Sequence, residues 1–259
     1  MGNAVAQSEV EADTLMNHQQ YEKAIKIYSK IIKASALKVR DDYRVVYKRA
    51  FAYYYIGQFD LALKDLEVFV PQFPQAAQAH MLGAFIYGQT GDTDKQLASI
   101  EKAIELQAGN IELIKWRGSV LLEKGEYAKA KNDLLKVRAQ LDDPELETNL
   151  AVAYYSTENI DSALLSINKS IELDATYEPP YLYAGSFCLE TEKYALAIQY
   201  LDLALRLNPE NANALFYKGV ALVELKKIES ACSCLSKAFK LGQDDAADYL
   251  KEHCYDVDK

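Results

Sequence analysis

Residues 178–211 read EPPYLYAGSFCLETEKYALAIQYLDLALRLNPEN, and the pattern of this stretch returns along the whole chain. Its small residue Ala197 belongs to a series of Ala24, Ala62, Ala130, Ala163, Ala197 and Ala231, with Gln96 in the slot between Ala62 and Ala130. The successive steps are 38, 34, 34, 33, 34 and 34 residues, and a period in this range marks a solenoid of repeated units. Twelve residues before each member stands a second small residue: Ala12, Ala50, Ala84, Gly118, Ala151, Gly185 or Gly219. Three before it is an aromatic or aliphatic residue (Tyr21, Phe59, Tyr127, Ile160, Tyr194 or Ile228), with Thr93 the exception. Four after it come Tyr28, Leu66, Ile100, Leu134, Ile167, Leu201 and Leu235. Such offsets hold side chains on one helical face. The paired small residues mark a close approach of two helices, which larger side chains would prevent. Each unit is therefore expected to be a helix, a tight turn and a second, antiparallel helix.

The punctuation agrees. Gly57, Gly91 and Gly125 fall between the helices, where glycine supplies the positive φ of a helix end. Pro74 and Asn208-Pro209 sit at unit junctions and Asp143-Pro144 near a third, all of which stop helices. In these small, large and proline positions the chain resembles the tetratricopeptide repeat (TPR) family. That resemblance implies an all-α fold, a right-handed superhelical solenoid of antiparallel helix pairs. The expected units are 5–38, 43–76, 77–110, 111–144, 145–177, 178–211 and 212–245, closed by a cap helix over 246–257 in which Ala247, Leu250 and Tyr255 are available to face inward. No low-complexity linker divides the chain, so residues 1–259 are expected to form one domain. Gln96 in a small-residue slot, four extra residues before the second unit and one missing near Asp142-Asp143 are the departures from the pattern.

The net charge of −9 argues against nucleic acid as a partner, because phosphate binding needs a basic field. No apolar run approaches the roughly 18 residues of a membrane span. Charge is uneven: residues 22–49 carry an excess of six positive charges, and the last sixteen residues hold six acids against two bases. These stretches read as solvated faces, or as ends that attract oppositely charged segments. Cys188, Cys232, Cys234 and Cys254 show no disulfide-framework spacing. Cys232 and Cys234 point about 200° apart on a helix, so no metal site is expected. His18, His80 and His253 are scattered, and GxxxxGK[ST], GxSxG and HExxH are absent. No catalytic residues and no cofactor are expected. The chain as given shows no basic-then-apolar leader, although Ala4-Val5-Ala6 has the small-residue pattern of a cleavage site. With its cysteines read as unpaired, it is expected in the cytoplasm. The alternative is a bacterial periplasm or envelope, reached through an upstream signal peptide since removed.

Function then falls to the groove. The TPR resemblance implies that first helices line a concave surface along which ligands lie. Positions displaced by about two residues from the packed face turn away from the core by about 200°. That shift places Arg44, Tyr47, Lys48, Phe51, Tyr54 and Tyr55 in the groove from the second unit. Met81 and Phe85 follow from the third, and Lys115, Trp116 and Ser119 from the fourth. Asn149 and Tyr155, then Tyr183 and Ser186, then Phe216 and Tyr217 complete the set. Trp116 lies two residues past Ile114, which holds the interhelix slot, so it either faces the groove or folds over a neighbouring helix. Tyrosine and tryptophan offer large contact area at little entropic loss, and are common binding anchors. Lys115 and Asn149 are similar to two members of the carboxylate clamp by which one TPR subfamily holds chaperone tails. Ser119, Pro179 and Tyr183 break the rest of it, and Val10 and Asp13 break the arrangement that Arg44 and Lys48 would close. The expected role is a non-catalytic module holding an extended peptide or short helix of a partner protein, as a monomer or weak homo-oligomer. The alternative is a scaffold that self-associates through its basic N-terminal end and acidic cap.

Overall fold

The computed structural model describes residues 2–36 and 40–254, and these form α-helices joined by short turns, with no strand among the described residues. Helices α1 (Gly2–Asn17) and α2 (Tyr21–Ser35) are followed by α3 (Tyr43–Tyr55) and α4 (Phe59–Phe69), then α5 (Ala77–Thr90) and α6 (Thr93–Leu106). Next come α7 (Ile111–Glu123) and α8 (Tyr127–Arg138), α9 (Pro144–Tyr155) and α10 (Ile160–Leu173), and α11 (Pro179–Glu190) and α12 (Tyr194–Leu207). The series ends with α13 (Ala212–Glu224), α14 (Ile228–Lys240) and the cap α15 (Ala246–His253). The chain packs as two compact units, Met1–Val120 and Leu121–Lys259. In the first, α3 packs on α2, α4 and α5; in the second, α11 packs on α9, α10, α12 and α13. First helices therefore touch first helices, besides their own partners.

The small residues lie where the pairs are tightest. Ala24, Ala62, Ala130, Ala163, Ala197 and Ala231 are all fully buried, as are Ala12, Ala50, Ala84 and Ala151. Packing is very close at Gly185 and Gly219. A Cβ added to Gly185 would stand 2.6 Å from Cγ of Leu201, and one added to Gly219 would stand 2.7 Å from Cγ of Leu235. Gln96 occupies its small-residue slot because Gly88 yields the space: a Cβ there would meet the Gln96 amide at 2.7 Å. The antiparallel sense is fixed at α9 and α10, where Thr148 near the start of one helix meets Ser170 near the end of the other, Oγ1 to Oγ 2.9 Å.

Each pair closes in the same way. Gln19, Gly57, Gly91, Gly125, Glu158, Glu192 and Lys226 all have positive φ, at the same register in every turn. The N–H of the next residue returns to a carbonyl five positions back, as from Gln58 to Tyr53 and from Lys193 to Cys188, at 2.9 and 2.8 Å. This is the helix ending that satisfies otherwise unpaired carbonyls. The glycines expected here serve three of the turns, and four others adopt the same conformation without glycine. Asp92, Asp143, Asn159 and Asn211 then cap the starts of α6, α9, α10 and α13 with side-chain oxygens.

The cap helix buries Ala246 and Leu250 in a cluster with Leu235 and Ala238, and Ala247 is half-buried. Tyr255 and the rest of the expected cap lie outside the described residues. The cysteines, expected to be unpaired, are not all so. Cys232 and Cys254 form a disulfide across a Cα–Cα distance of 5.7 Å, because α15 folds back on α14 and returns a residue 22 positions away. Cys188 stays a buried free thiol and Cys234 a half-buried one.

Two measurements follow from this packing. A left-handed residue other than glycine costs about 1–2 kcal/mol, and glycine's own entropic cost is about 0.5–1 kcal/mol. Lys226→Gly is therefore expected to raise Tm by about 1–4 °C. Gly185→Ala, the reverse change at a crowded site, is expected to destabilise by about 1–3 kcal/mol; thermal unfolding of both variants reads the opposite signs. Thiol titration of the denatured protein is expected to find two free thiols before reduction and four after. Four before reduction would contradict the Cys232–Cys254 bond.

Candidate functional site

In the first unit, the residues expected on the outer face of α3 meet an aromatic ring of α5, which in turn stacks on one of α7. Phe51 and Tyr55 are 4.9 Å apart edge to face, Tyr54 and Tyr55 5.6 Å, and Tyr54 and Phe85 6.3 Å. Phe85 in turn stacks on Trp116 at 4.4 Å. Positions 51, 54 and 55 share one side of α3 because offsets of three and four bring side chains together on a helix, and Phe85 and Trp116 extend that row across two more first helices. The strip remains open to solvent: Tyr55 is 50% and Phe85 44% exposed, with Phe51, Tyr54 and Trp116 half-buried. Trp116 lies over Phe85 of the neighbouring α5 and is half-buried.

Other expected groove residues of this unit are placed differently. Tyr47 leans over Phe69 at 5.1 Å, and its hydroxyl reaches the carbonyl of Gln78 at 3.4 Å. Met81, Lys115 and Ser119 are half-buried and Arg44 is exposed. Lys48 is not a free cation. Its ammonium donates to Glu9 and to Asp13, each at 2.6 Å, so the basic pair foreseen for Arg44 and Lys48 is not available as a pair. Burial alone would lower the Lys48 pKa, but the hydrogen bonds and charges of Asp13 and Glu9 outweigh it and hold the group above the ordinary lysine value. Asp13 also accepts from the Tyr28 hydroxyl at 2.6 Å; burial first, and then this carboxylate, push that phenol well above the usual tyrosine range. Arg49, next in the basic stretch, is held by both oxygens of Asp65 at 2.8 and 2.7 Å.

Between α1, α2 and α3 lies a pocket of about 520 Å³, with Met16, Tyr21, Phe51 and Tyr55 among its apolar walls and Asp13 and Lys48 at its polar end. Tyr21 stacks on Tyr55 at 4.7 Å with an interplanar angle of 4°. Met16, Asn17 and Asp13 were not foreseen as site residues, yet the offsets that select Tyr54, Tyr55 and Phe51 relative to Ala50 select these three relative to Ala12. Tyr21, at the start of a second helix, shares its register with residues that pack internally, and nothing in the sequence separates it from them.

In the second unit the expected rings are half-buried. Tyr155 lies flat on Phe187 at 3.8 Å and donates its hydroxyl to Glu190 at 3.0 Å. Burial, followed by that carboxylate, pushes the Tyr155 phenol up to about 12. Tyr183 stands 6.2 Å from the same Phe187. Asn149 and Ser186 are half-buried, and the Ser186 hydroxyl returns to the Tyr183 carbonyl at 3.0 Å. Phe216 lies 5.7 Å from Tyr217 and meets Tyr249 of the cap edge to face at 5.5 Å, so it helps to seat α15. Among the described residues, no group of three or more His, Cys, Asp or Glu side chains could hold a metal ion. Among the described residues, no helix is long and apolar enough to cross a membrane either.

The chain is similar to known repeat proteins. Models of the tetratricopeptide repeat match residues 44–76, 77–110, 148–177 and 189–246. A solved tetratricopeptide repeat protein from Parabacteroides merdae superposes with a TM-score of 0.79 over 96% of this chain and 98% of its own, at 15% identity. Among curated relatives, the BBSome complex member BBS4 of Bos taurus is 22% identical over 86% of the chain, and anaphase-promoting complex subunit 7 of Mus musculus is 25% identical over 61%. The chain spans 49% of the length of the first and 28% of the second. With the repeat models covering most of its length and the helix pairs in register, the chain belongs to the tetratricopeptide repeat family.

Proposed function

We propose that this chain docks an extended or short helical segment of a partner protein on the face of its first helices, with the rings of the first unit as anchor. The tetratricopeptide fold is in general a protein-interaction scaffold without catalytic machinery, and both curated relatives are named as members of multi-protein complexes. The observation that carries the reading is the row Tyr55, Phe51, Tyr54, Phe85 and Trp116. These rings touch one another across three first helices, yet two of them stay about half exposed. Large apolar side chains left open in a contiguous row mark an interaction surface, and aromatic anchors carry a large share of binding energy. Ordering each flexible partner side chain costs about 0.5–1.5 kcal/mol, which suits micromolar affinity. The Cys232–Cys254 bond supports a periplasmic or envelope location over a reducing cytoplasm, since disulfides persist in oxidising surroundings.

A second reading, self-association, has its own observation. Lys23, Lys26, Lys30 and Lys33 are exposed along one side of α2, and Asp244, Asp245, Asp248 and Glu252 are exposed at and just before α15. Such a head-to-tail contact would build rings or filaments.

Two experiments test these readings. Peptides selected from a random 12-residue library on the wild-type chain are expected to bind at least tenfold more weakly to Phe85→Ala/Trp116→Ala, with Tm lowered by only a few degrees. Undiminished binding contradicts the docking face, and an unfolded double variant shows these rings to be core instead. Light scattering at low and high salt tests the scaffold: assemblies that dissolve as salt rises support it, and a monomer at both salts excludes it.

A further inference from the structure

We infer that the pocket of the first unit receives an arginine side chain of the docked segment, its guanidinium facing the carboxylate of Asp13 and stacking on the Tyr21–Tyr55 pair. This deepens the docking reading above and rests on it. The pocket combines two features that favour a cation. Its wall holds two parallel tyrosine rings 4.7 Å apart, and aromatic faces attract cations through their negative π-density. Its polar end holds Asp13 and Lys48, and Glu9 pairs with the same ammonium. Two carboxylates against one ammonium leave a formal charge of −1.

The alternative, an anion held by Lys48, fits poorly. An ammonium has three protons to give, and two of those of Lys48 already go to Glu9 and Asp13. An incoming carboxylate would meet a single remaining donor beside two like charges. A cation meets the reverse situation. Asp13 accepts one bond at each oxygen, from Tyr28 and from Lys48, and a carboxylate offers about four acceptor positions. Arginine suits this site better than lysine, because its planar fork can stack on a ring while donating sideways to a carboxylate, and the position of a point ammonium is already filled by Lys48.

The experiment uses the full chain and three probes: N-acetyl-arginine amide, N-acetyl-norleucine amide and N-acetyl-glutamate amide. Each is titrated while the backbone resonances of Asp13, Tyr21 and Tyr55 are followed by NMR. The arginine probe is expected to shift these residues saturably and to bind at least fivefold more tightly than either of the others. Lys48→Met, which frees both carboxylates, is expected to tighten the arginine probe about fivefold, the scale of one exposed charge interaction. Tyr55→Leu is expected to weaken it by a similar factor, and stands as the test should Lys48→Met fail to fold. Equal binding of norleucine, stronger binding of glutamate, weaker arginine binding by Lys48→Met, or no saturable shift overturns the assignment. If arginine fails here while library peptides still depend on Phe85 and Trp116, the pocket assignment alone falls. If arginine binds while those peptides ignore the two rings, the docking face is what falls.

Discussion

The contact on which the rest depends is the approach of the two helices in each pair, set by one small residue on each. Ala50 and Ala62 or Gly185 and Ala197 are buried without residue, and the leucine four positions beyond the second member fills the remaining gap, as Leu201 does over Gly185. Fully burying such a side chain is worth about 1.5–3 kcal/mol, so the register of each pair is strongly held. The left-handed turn residue adds to this by fixing where the second helix begins. One side of every first helix is thereby consumed within its own hairpin. Rings on the far side of α3 and α5 meet one another across first helices and form the row that ends at Trp116, while Tyr55 also stacks on Tyr21 of α2.

Charge is arranged around the same frame. The basic stretch at residues 22–49 is not one basic surface. Lys48 and Arg49 point back toward Glu9, Asp13 and Asp65 and are neutralised within the first unit. The lysines of α2 face solvent. Arg138 and the nearly buried Glu147 form a comparable forked pair in the second unit, at 2.8 and 2.7 Å. Breaking such a pair would strand a charge away from water, which is costly, so these residues serve the fold. The polarity of the aromatic pocket is a by-product of the same local pairing: Lys48 neutralises one of its two carboxylate neighbours and leaves the other in excess.

Much of this was legible in the sequence, because a repeat states its packing rule seven times. The helix pairs, the buried small residues and the aromatic face of α3 all follow from offsets that any one unit leaves ambiguous. Four turn residues were hidden for a physical reason: Gln19, Glu158, Glu192 and Lys226 tolerate positive φ at a modest cost, and no residue type announces it. The pairing of Cys232 with Cys254 depends on how the cap folds back, which spacing alone does not encode. Gln96 departs from the small-residue pattern, and the compensation at Gly88 lies outside the repeat's own series of positions. The fate of Lys48 was readable, since offsets of −3 and +1 from Ala12 select Glu9 and Asp13 as surely as they select Tyr47 and Phe51 from Ala50. The flat stacking of Tyr155 was not, because it depends on Phe187 of the next first helix lying beneath it.

The most direct test of the central claim uses the single tryptophan of the chain. Trp116 lies at the end of the aromatic row, stacked on Phe85 and half open to solvent. Quenching of its fluorescence by acrylamide is expected to be intermediate between that of a buried and a free indole, and to fall when a peptide occupies the row. A tryptophan fully shielded in the unliganded chain, or one whose quenching is unchanged when a peptide binds, would contradict the account.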